Sequence, residues 1–251
     1  MDSPWIYPLL FVTGLAAGWI DSIAGGGGLI TIPVLLTLGL PPQVVLGTNK
    51  LQASFGSFTA AAYYAREEVV SLADARPGIV LTLVGACLGT WFVQQIDPGF
   101  LNLLIPVLLL AIALYMLLTP PVGDGERRPR ISRLWFYGIF GLLLGFYDGF
   151  FGPGVGSFWA VAFIAGLGFS LTKATGYTKV MNFTSNIVSC VLFLTGGFVL
   201  VFPALVMAAG QVIGARVGSG LVVKKGAALI RPIFIAVVIL TTLKLLYNRL
   251  A

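Results

Sequence analysis

"GWIDSIAGGGGLITIPVLL", residues 18–36, decides how this chain is read. Four consecutive glycines stand inside one of its most apolar regions, with Asp21 ahead of the run and Pro33 behind it. Such a stretch either cradles phosphate in a soluble enzyme or breaks a helix inside a membrane. The phosphate reading fails on chemistry. Neither this stretch nor "GPGVGSFW" at 152–159 has the lysine and hydroxyl that a phosphate loop needs in register. The spacing of a dinucleotide loop is also missing, and no βα unit accompanies either run.

The surroundings favour the membrane. Of 251 residues, 58% are hydrophobic and 10% charged, where a soluble domain carries about 25% charged residues. Apolar stretches recur at about 5–24, 44–64, 77–95, 99–119, 134–151, 173–196, 199–222 and 229–247. Two shorter ones, 27–41 and 154–168, reach only about 22 Å as helices, against a hydrocarbon core of about 30 Å. The expected fold class is all-α, a polytopic transmembrane helical bundle of about 8–10 membrane segments including two short broken ones. With acidic Asp2 and no basic n-region, the N-terminus is expected to be a retained first span.

Charge sets the expected topology. If both short segments cross, Arg66, Arg76, Arg127, Arg128, Arg130, Arg133, Lys224, Lys225 and Arg231 share one side. The other side keeps Asp2, Asp97, Arg249 and Lys244. If both short segments dip in and return, the bases divide between the faces. The positive-inside rule selects the first arrangement, with both termini outside the cytoplasm. The polar stretch 121–133 then becomes a cytoplasmic linker between two transmembrane repeats, 1–120 and 134–251.

The halves resemble each other. "GWIDSIAGGGG" at 18–28 parallels "GFYDGFFGPGV" at 145–155, aligning Gly18, Asp21, Gly25 and Gly27 with Gly145, Asp148, Gly152 and Gly154. "GTNKLQASFGS" at 47–57 parallels "GYTKVMNFTSN" at 176–186, aligning Lys50 with Lys179. "GACLG" at 85–89 weakly parallels "GQVIG" at 210–214. An odd number of crossings per half inverts the second copy, an arrangement common in secondary transporters whose sites lie at interrupted helices.

The candidate site follows. Glycine and proline breaks free backbone N–H groups at 26–29 and 154–157, which can face an anion, or the glycines serve close helix packing. Lys50, after Thr48 and Asn49, and Lys179, after Thr178, are intramembrane charges, which are costly and rarely idle. Gly25, Gly26, Gly27, Gly28, Thr48, Asn49, Lys50, Gly152, Gly154, Thr178, Lys179 and Asn182 form the candidate substrate-binding set. Asn182 and Asn186 are one turn apart and can line the same cavity. Asp21 and Asp148 are candidates for coupling, for capping the breaks, or for countering the lysines. With no histidine, and with Cys87 and Cys190 far apart, no metal site, cofactor or nucleophile–base pair is expected. The expected partners are a small anionic substrate, the lipid bilayer and a homo-oligomer, with no nucleic acid.

"GWIDSIAGGGGLITIPVLLTLGLPPQVVLGTNKLQASFGS" and, in the second half, "GFYDGFFGPGVGSFW" with "GYTKVMNFTSNIVS" resemble the sulfite exporter TauE/SafE family of bacterial membrane proteins. The resemblance covers nearly the whole chain. It implies a permease of the bacterial inner membrane for sulfite, sulfoacetate or related organosulfur anions. It also implies that Gly25–Gly28, Asn49 and Lys50 form one signature, and Gly152, Gly154, Thr178, Lys179 and Asn182 the other. The halves differ where "GGGG" becomes "GPGV" and Asn49 is matched by Thr178, so the implied site is asymmetric. Rival readings are a cation or neutral-metabolite permease, with the aspartates facing the path, and a non-transporting membrane scaffold.

Overall fold

A computed structural model of the chain describes residues 5–118 and 125–225. The expected span at 229–247 and the C-terminus lie outside them. Helix α1 covers Ile6–Ala24, α2 Gly28–Leu36, α3 Pro42–Arg66, α4 Leu72–Gln94 and α5 Pro98–Leu118. Helix α6, Arg133–Phe136, continues through a π turn, Tyr137–Gly141, into α7, Leu142–Phe150. Helix α8, Val155–Ala162, ends in a second π turn, Phe163–Leu167, followed by α9, Leu171–Thr195, and α10, Val201–Lys225. No strand occurs among the described residues.

Two interlocking pairs organise the bundle, each joining the first span of one half to the fourth of the other. Helix α1 runs parallel to α10, with Gly14 and Gly18 against the Met207 and Gln211 backbone, and Gly210 and Gly214 against Phe11, Leu15 and Trp19. Helix α7 runs parallel to α4 in the same way. Gly145 and Gly149 meet Thr82 and Ala86, while Gly85 and Gly89 meet Leu142, Phe146 and Phe150. A Cβ at Gly89 would lie 2.0 Å from the Phe146 carbonyl oxygen. These are small residues one turn apart on facing helices, which let backbones touch where lipid offers no hydrophobic drive for association. The weak match of 85–89 with 210–214 marks equivalent crossings.

Helices α3 and α9 pack together at the centre. Each has 25 residues, about 37 Å, long enough to cross. Yet only Ile6–Ile23, Leu72–Gln94, Pro98–Tyr115 and Val201–Lys224 combine spanning length with span-like hydropathy among the described helices. Buried Asn, Gln, Ser, Thr and Lys side chains lower the hydropathy of α3 and α9. The surrounding helices take the lipid contact instead, through exposed residues such as Leu9, Val12, Val80, Leu88, Leu103, Leu143, Leu205 and Val217. The protein is thus an all-α, multi-pass membrane protein. Trp91 and Trp135, near helix ends, are among its most exposed aromatics.

The two short segments are the return arms of helical hairpins. Helix α2 has nine residues, about 14 Å, and does not span the hydrocarbon core by itself. Helix α1 descends beside α10 as far as Ser22, which abuts Gly218. The chain then reverses through Gly25 and climbs back along α3. Gly25 is left-handed (φ 75°) and its N–H closes α1 on the Asp21 carbonyl at 2.9 Å, a conformation that an L side chain strains. The second hairpin, α6 and α7 with α8, enters from the opposite face and turns at 151–154. The tips meet backbone to backbone. A Cβ at Gly25 would lie 2.3 Å from Gly156 Cα, and one at Gly28 would lie 3.2 Å from the Pro153 ring. "GPGV" thus fits against "GGGG" because the proline occupies the space that Gly28 leaves.

Helix ends group into two faces. On one, Tyr7 packs on Phe202 at 5.2 Å, Gln43 donates to the Ile96 carbonyl and the Leu200 N–H donates to Thr48. On the other, Arg133 pairs with Asp74 at 2.8 Å, Lys173 with Glu126 at 3.1 Å, and the Ser71 N–H donates to Tyr177. There the linker lies against the end of α8, its Arg127 and Arg130 N–H groups donating to the Gly168 and Gly166 carbonyls. The start of α1 and the start of α3 share the first face, which is the grouping that ten alternating segments give. The hairpin tips, however, stop inside the protein instead of reaching the far side, because each tip is blocked by the other.

Replacing Gly89 by Leu should therefore force α4 and α7 apart at a cost of about 1–3 kcal/mol or more. Gly138→Ala, where a Cβ meets nothing within 4 Å, should be neutral. Thermal unfolding of the two detergent-solubilised variants, monitored by monodispersity, checks the pair.

Candidate functional site

Lys50 and Lys179 each lie eight residues beyond the first residue of their helix (42 to 50, 171 to 179), about 12 Å deep. Since α3 starts on one face and α9 on the other, the two ammonium groups approach the centre from opposite sides. Each meets an aspartate of the other half. Lys50 Nζ donates to Asp148 Oδ1 at 2.6 Å, to the Asp148 carbonyl, and to Asn186 Oδ1 at 3.1 Å. Lys179 Nζ donates to Asp21 Oδ2 at 3.2 Å and to the Asp21 carbonyl. Both aspartates sit at hairpin tips, so each pair fastens one tip to the opposite central helix.

The pairs are unequal. The side chains of Lys50 and Asp148 are 2% and 3% exposed, and all three ammonium donors are used. Ser185 donates to Asp148 Oδ2, filling its other oxygen. The Asp21 side chain is 21% exposed. Apart from Lys179, among the described residues it accepts only the Gly27 N–H at 3.2 Å. Lys179 makes two hydrogen bonds of a possible three, and the neighbouring Thr178 hydroxyl is buried without a partner.

Between the pairs lies a cavity of about 30 Å³, lined by Asp21, Gly25, Gly28, Asn49, Lys50, Ala53, Asp148, Gly152, Gly154, Val155, Asn182 and Asn186. That is room for one or two waters. The carboxamides face it in defined orientations. Asn49 Oδ1 accepts from Thr31 and from Gln52 Nε2 at 2.8 Å, and Asn186 Oδ1 accepts from Lys50. Their NH₂ ends are thereby left to donate. Asn182 is 3% exposed and its Oδ1 has no partner.

The expected site residues separate into groups. The cavity wall holds Asp21, Gly25, Gly28, Asn49, Lys50, Asp148, Gly152, Gly154 and Asn182. Gly26, Gly27, Thr178 and Lys179 stand behind it, with Lys179 reaching it through Asp21. Thr48 points elsewhere, its hydroxyl accepting the Leu200 N–H at 3.0 Å on the outer turn. Of the eight backbone N–H groups at 26–29 and 154–157 expected to face an anion, four are committed within the tips. Gly27 donates to Asp21, Leu29 to Gly26, Val155 to Gly152 and Ser157 to Gly154. The glycine breaks also act as turns and contact points. Ser185, Thr31 and Gln52 escaped the sequence reading. Ser185 could have been found from its place one turn after Asn182, but Thr31 and Gln52 gave no signal beyond being polar in apolar helices.

A helical membrane protein with paired hairpins and ion pairs at its centre belongs among the multi-pass transporters, and the comparisons place it there. Residues 10–245 match the family described as Sulfite exporter TauE/SafE, and the chain belongs to that family of membrane transporters. It is 47% identical to a probable membrane transporter protein of Haemophilus influenzae, over 96% of this chain and 94% of the relative. It is also 47% identical to the probable membrane transporter protein YfcA of Escherichia coli K12, over 99% and 92% of the two chains. A sulfite exporter TauE/SafE family protein 6 of Arabidopsis thaliana is 30% identical over 42% of this chain and 25% of its own length. No solved structure matches the chain significantly.

Lys50→Met should strand the sealed Asp148 carboxylate and cost about 3–5 kcal/mol. Lys50→Met combined with Asp148→Asn should cost less than the single change. Lys179→Met should cost less than Lys50→Met, since Asp21 retains contact with water. Denaturation midpoints of wild type, Lys50→Met, Asp148→Asn, the double variant and Lys179→Met test this order, and additive effects of Lys50→Met and Asp148→Asn would refute the pairing.

Proposed function

We propose that the protein is a secondary transporter that moves a small anion by alternating access, and that sulfite or an organosulfonate is its substrate. The observation that carries this reading is the donor-rich cavity between two hairpin tips. The carboxylates around it are occupied by lysines, Ser185 and the Gly27 amide. The NH₂ groups of Asn49 and Asn186, with their oxygens engaged elsewhere, are free to meet an acceptor-rich ligand. This disposition favours an anion over a cation. The sulfur chemistry rests on the family alone, since fold kinship does not define a substrate.

The cavity, at about 30 Å³, is too small for a sulfonate, so binding requires a tip to withdraw. Each tip is attached to the opposite half, and each hairpin opens toward a different face. Releasing one or the other would expose the cavity to one side at a time. The correspondence of 1–120 with 134–251, joined by the 121–133 linker, supports two inverted repeats. Arg66, Arg76, Arg127, Arg128, Arg130, Arg133 and Lys173 gather on the linker face, which we assign to the cytoplasm of a bacterial inner membrane. A scaffold protein would gain nothing from two charge pairs held at bilayer depth.

Two experiments test this. Purified protein in liposomes should take up labelled sulfite, sulfoacetate, isethionate or methanesulfonate. Asn49→Leu should lower that uptake about 10–100-fold, the worth of a hydrogen bond to a charged group, with folded protein retained. Absence of flux across the whole set would sink the reading. For orientation, a cysteine at Gly125, in a chain lacking Cys87 and Cys190, should resist an impermeant thiol reagent added to intact spheroplasts. Labelling there would reverse the topology.

A further inference from the structure

We propose that the anion travels with one proton and that Asp21 carries it. The proposal rests on the anion-transport reading above and adds the coupling ion, its stoichiometry and its residue.

The argument is a charge count. Among the described residues, the cavity region contains Asp21, Lys179, Asp148 and Lys50, two acids and two bases joined as Asp21–Lys179 and Lys50–Asp148. The groups facing Asp21 are Lys179 from α9, and Lys50 and Asp148 across the cavity from α3 and α7. Tyr64 of α3 donates to the adjacent Ser22 carbonyl at 3.0 Å. Helix α10 brings Arg216, which is stacked on the Tyr63 ring at 4.2 Å. Helix α2 contributes the Gly27 amide, and α8 contributes backbone at Gly156. The empty four-charge centre is therefore neutral. Adding a monoanion alone would leave one uncompensated negative charge at bilayer depth, which is strongly disfavoured. Adding an anion with a proton keeps the centre neutral.

Asymmetry selects the acceptor. Asp148 is sealed, with both oxygens bonded and its lysine fully committed. Asp21 borders the cavity, retains 21% exposure, and its lysine has a spare donor. A proton from water bonds to Asp21 Oδ2. Neutral Asp21 no longer pairs with Lys179 by charge, and Lys179 keeps its own proton, its charge and its bond to the Asp21 carbonyl. The ammonium then binds an oxygen of the anion. On release, the proton leaves for water and the carboxylate recaptures Lys179. Empty deprotonated and loaded protonated states are both neutral, so the centre changes state only with anion and proton together.

The test uses the whole protein in liposomes loaded with a pH-sensitive dye. Labelled isethionate and methanesulfonate serve as probes because they carry no proton of their own near neutral pH. At zero membrane potential, an inward proton gradient of one pH unit should concentrate the probe about tenfold, with one proton entering per anion. A potassium diffusion potential should leave that ratio unchanged. Accumulation that follows the potential, or anion entry without protons, overturns the coupling while leaving transport standing. No movement of either sulfonate or of sulfite overturns the transport reading and the coupling with it. Asp21→Asn should abolish the gradient-driven accumulation, and Asp21→Glu should keep it with a shifted pH profile. A wild-type response in Asp21→Asn overturns the residue assignment.

Discussion

Two ion pairs tied across the halves constrain everything else in this protein. A lysine at bilayer depth without a counter-charge is expensive, and here neither half neutralises its own. Lys50 depends on Asp148, and Lys179 on Asp21. For the pairs to form, the two hairpins must enter from opposite faces and the central helices must run antiparallel. The architecture thus follows from satisfying four charges away from water.

Close approach makes those pairs reachable. The glycines of α1, α10, α4 and α7 bring backbones into contact, which positions each hairpin against the half it must reach. At the tips, Gly25 meets Gly156 and Gly28 meets Pro153. A residue with a side chain at Gly25 would push the tip away from its opposite, and with it Asp21 away from Lys179. Packing and electrostatics are therefore one problem in this fold. Small residues solve it where lipid-facing apolar side chains cannot.

The inequality of the pairs gives the symmetric frame a direction. Repeats supply equivalent lysines and aspartates, but the second copy adds Ser185 and Asn186 around Asp148. Their counterparts in the first copy, Gly56 and Ser57, offer Asp21 no such bonds. One clasp is locked and the other stays adjustable. The proposed binding centre, which has to open and close, would benefit from that difference.

Much of this was legible in the sequence. Low charge content and recurring apolar runs determined the helical membrane class, because hydrophobicity is a property of each residue wherever it packs. The matched "GWIDSIAGGGG" and "GFYDGFFGPGV" put Asp21 and Asp148 at equivalent positions, and Lys50 and Lys179 stood out as charges within apolar runs. Shortness of 27–41 and 154–168 signalled broken elements. Tertiary structure alone decided that these elements are hairpin arms whose tips collide, and that each aspartate serves the lysine of the other half. It alone turned Thr48 outward and engaged the Gly25 and Gly27 N–H groups with Asp21. Those outcomes depend on which helix faces which and at what depth, a matter of directional contacts between residues far apart in the chain, which no local pattern encodes.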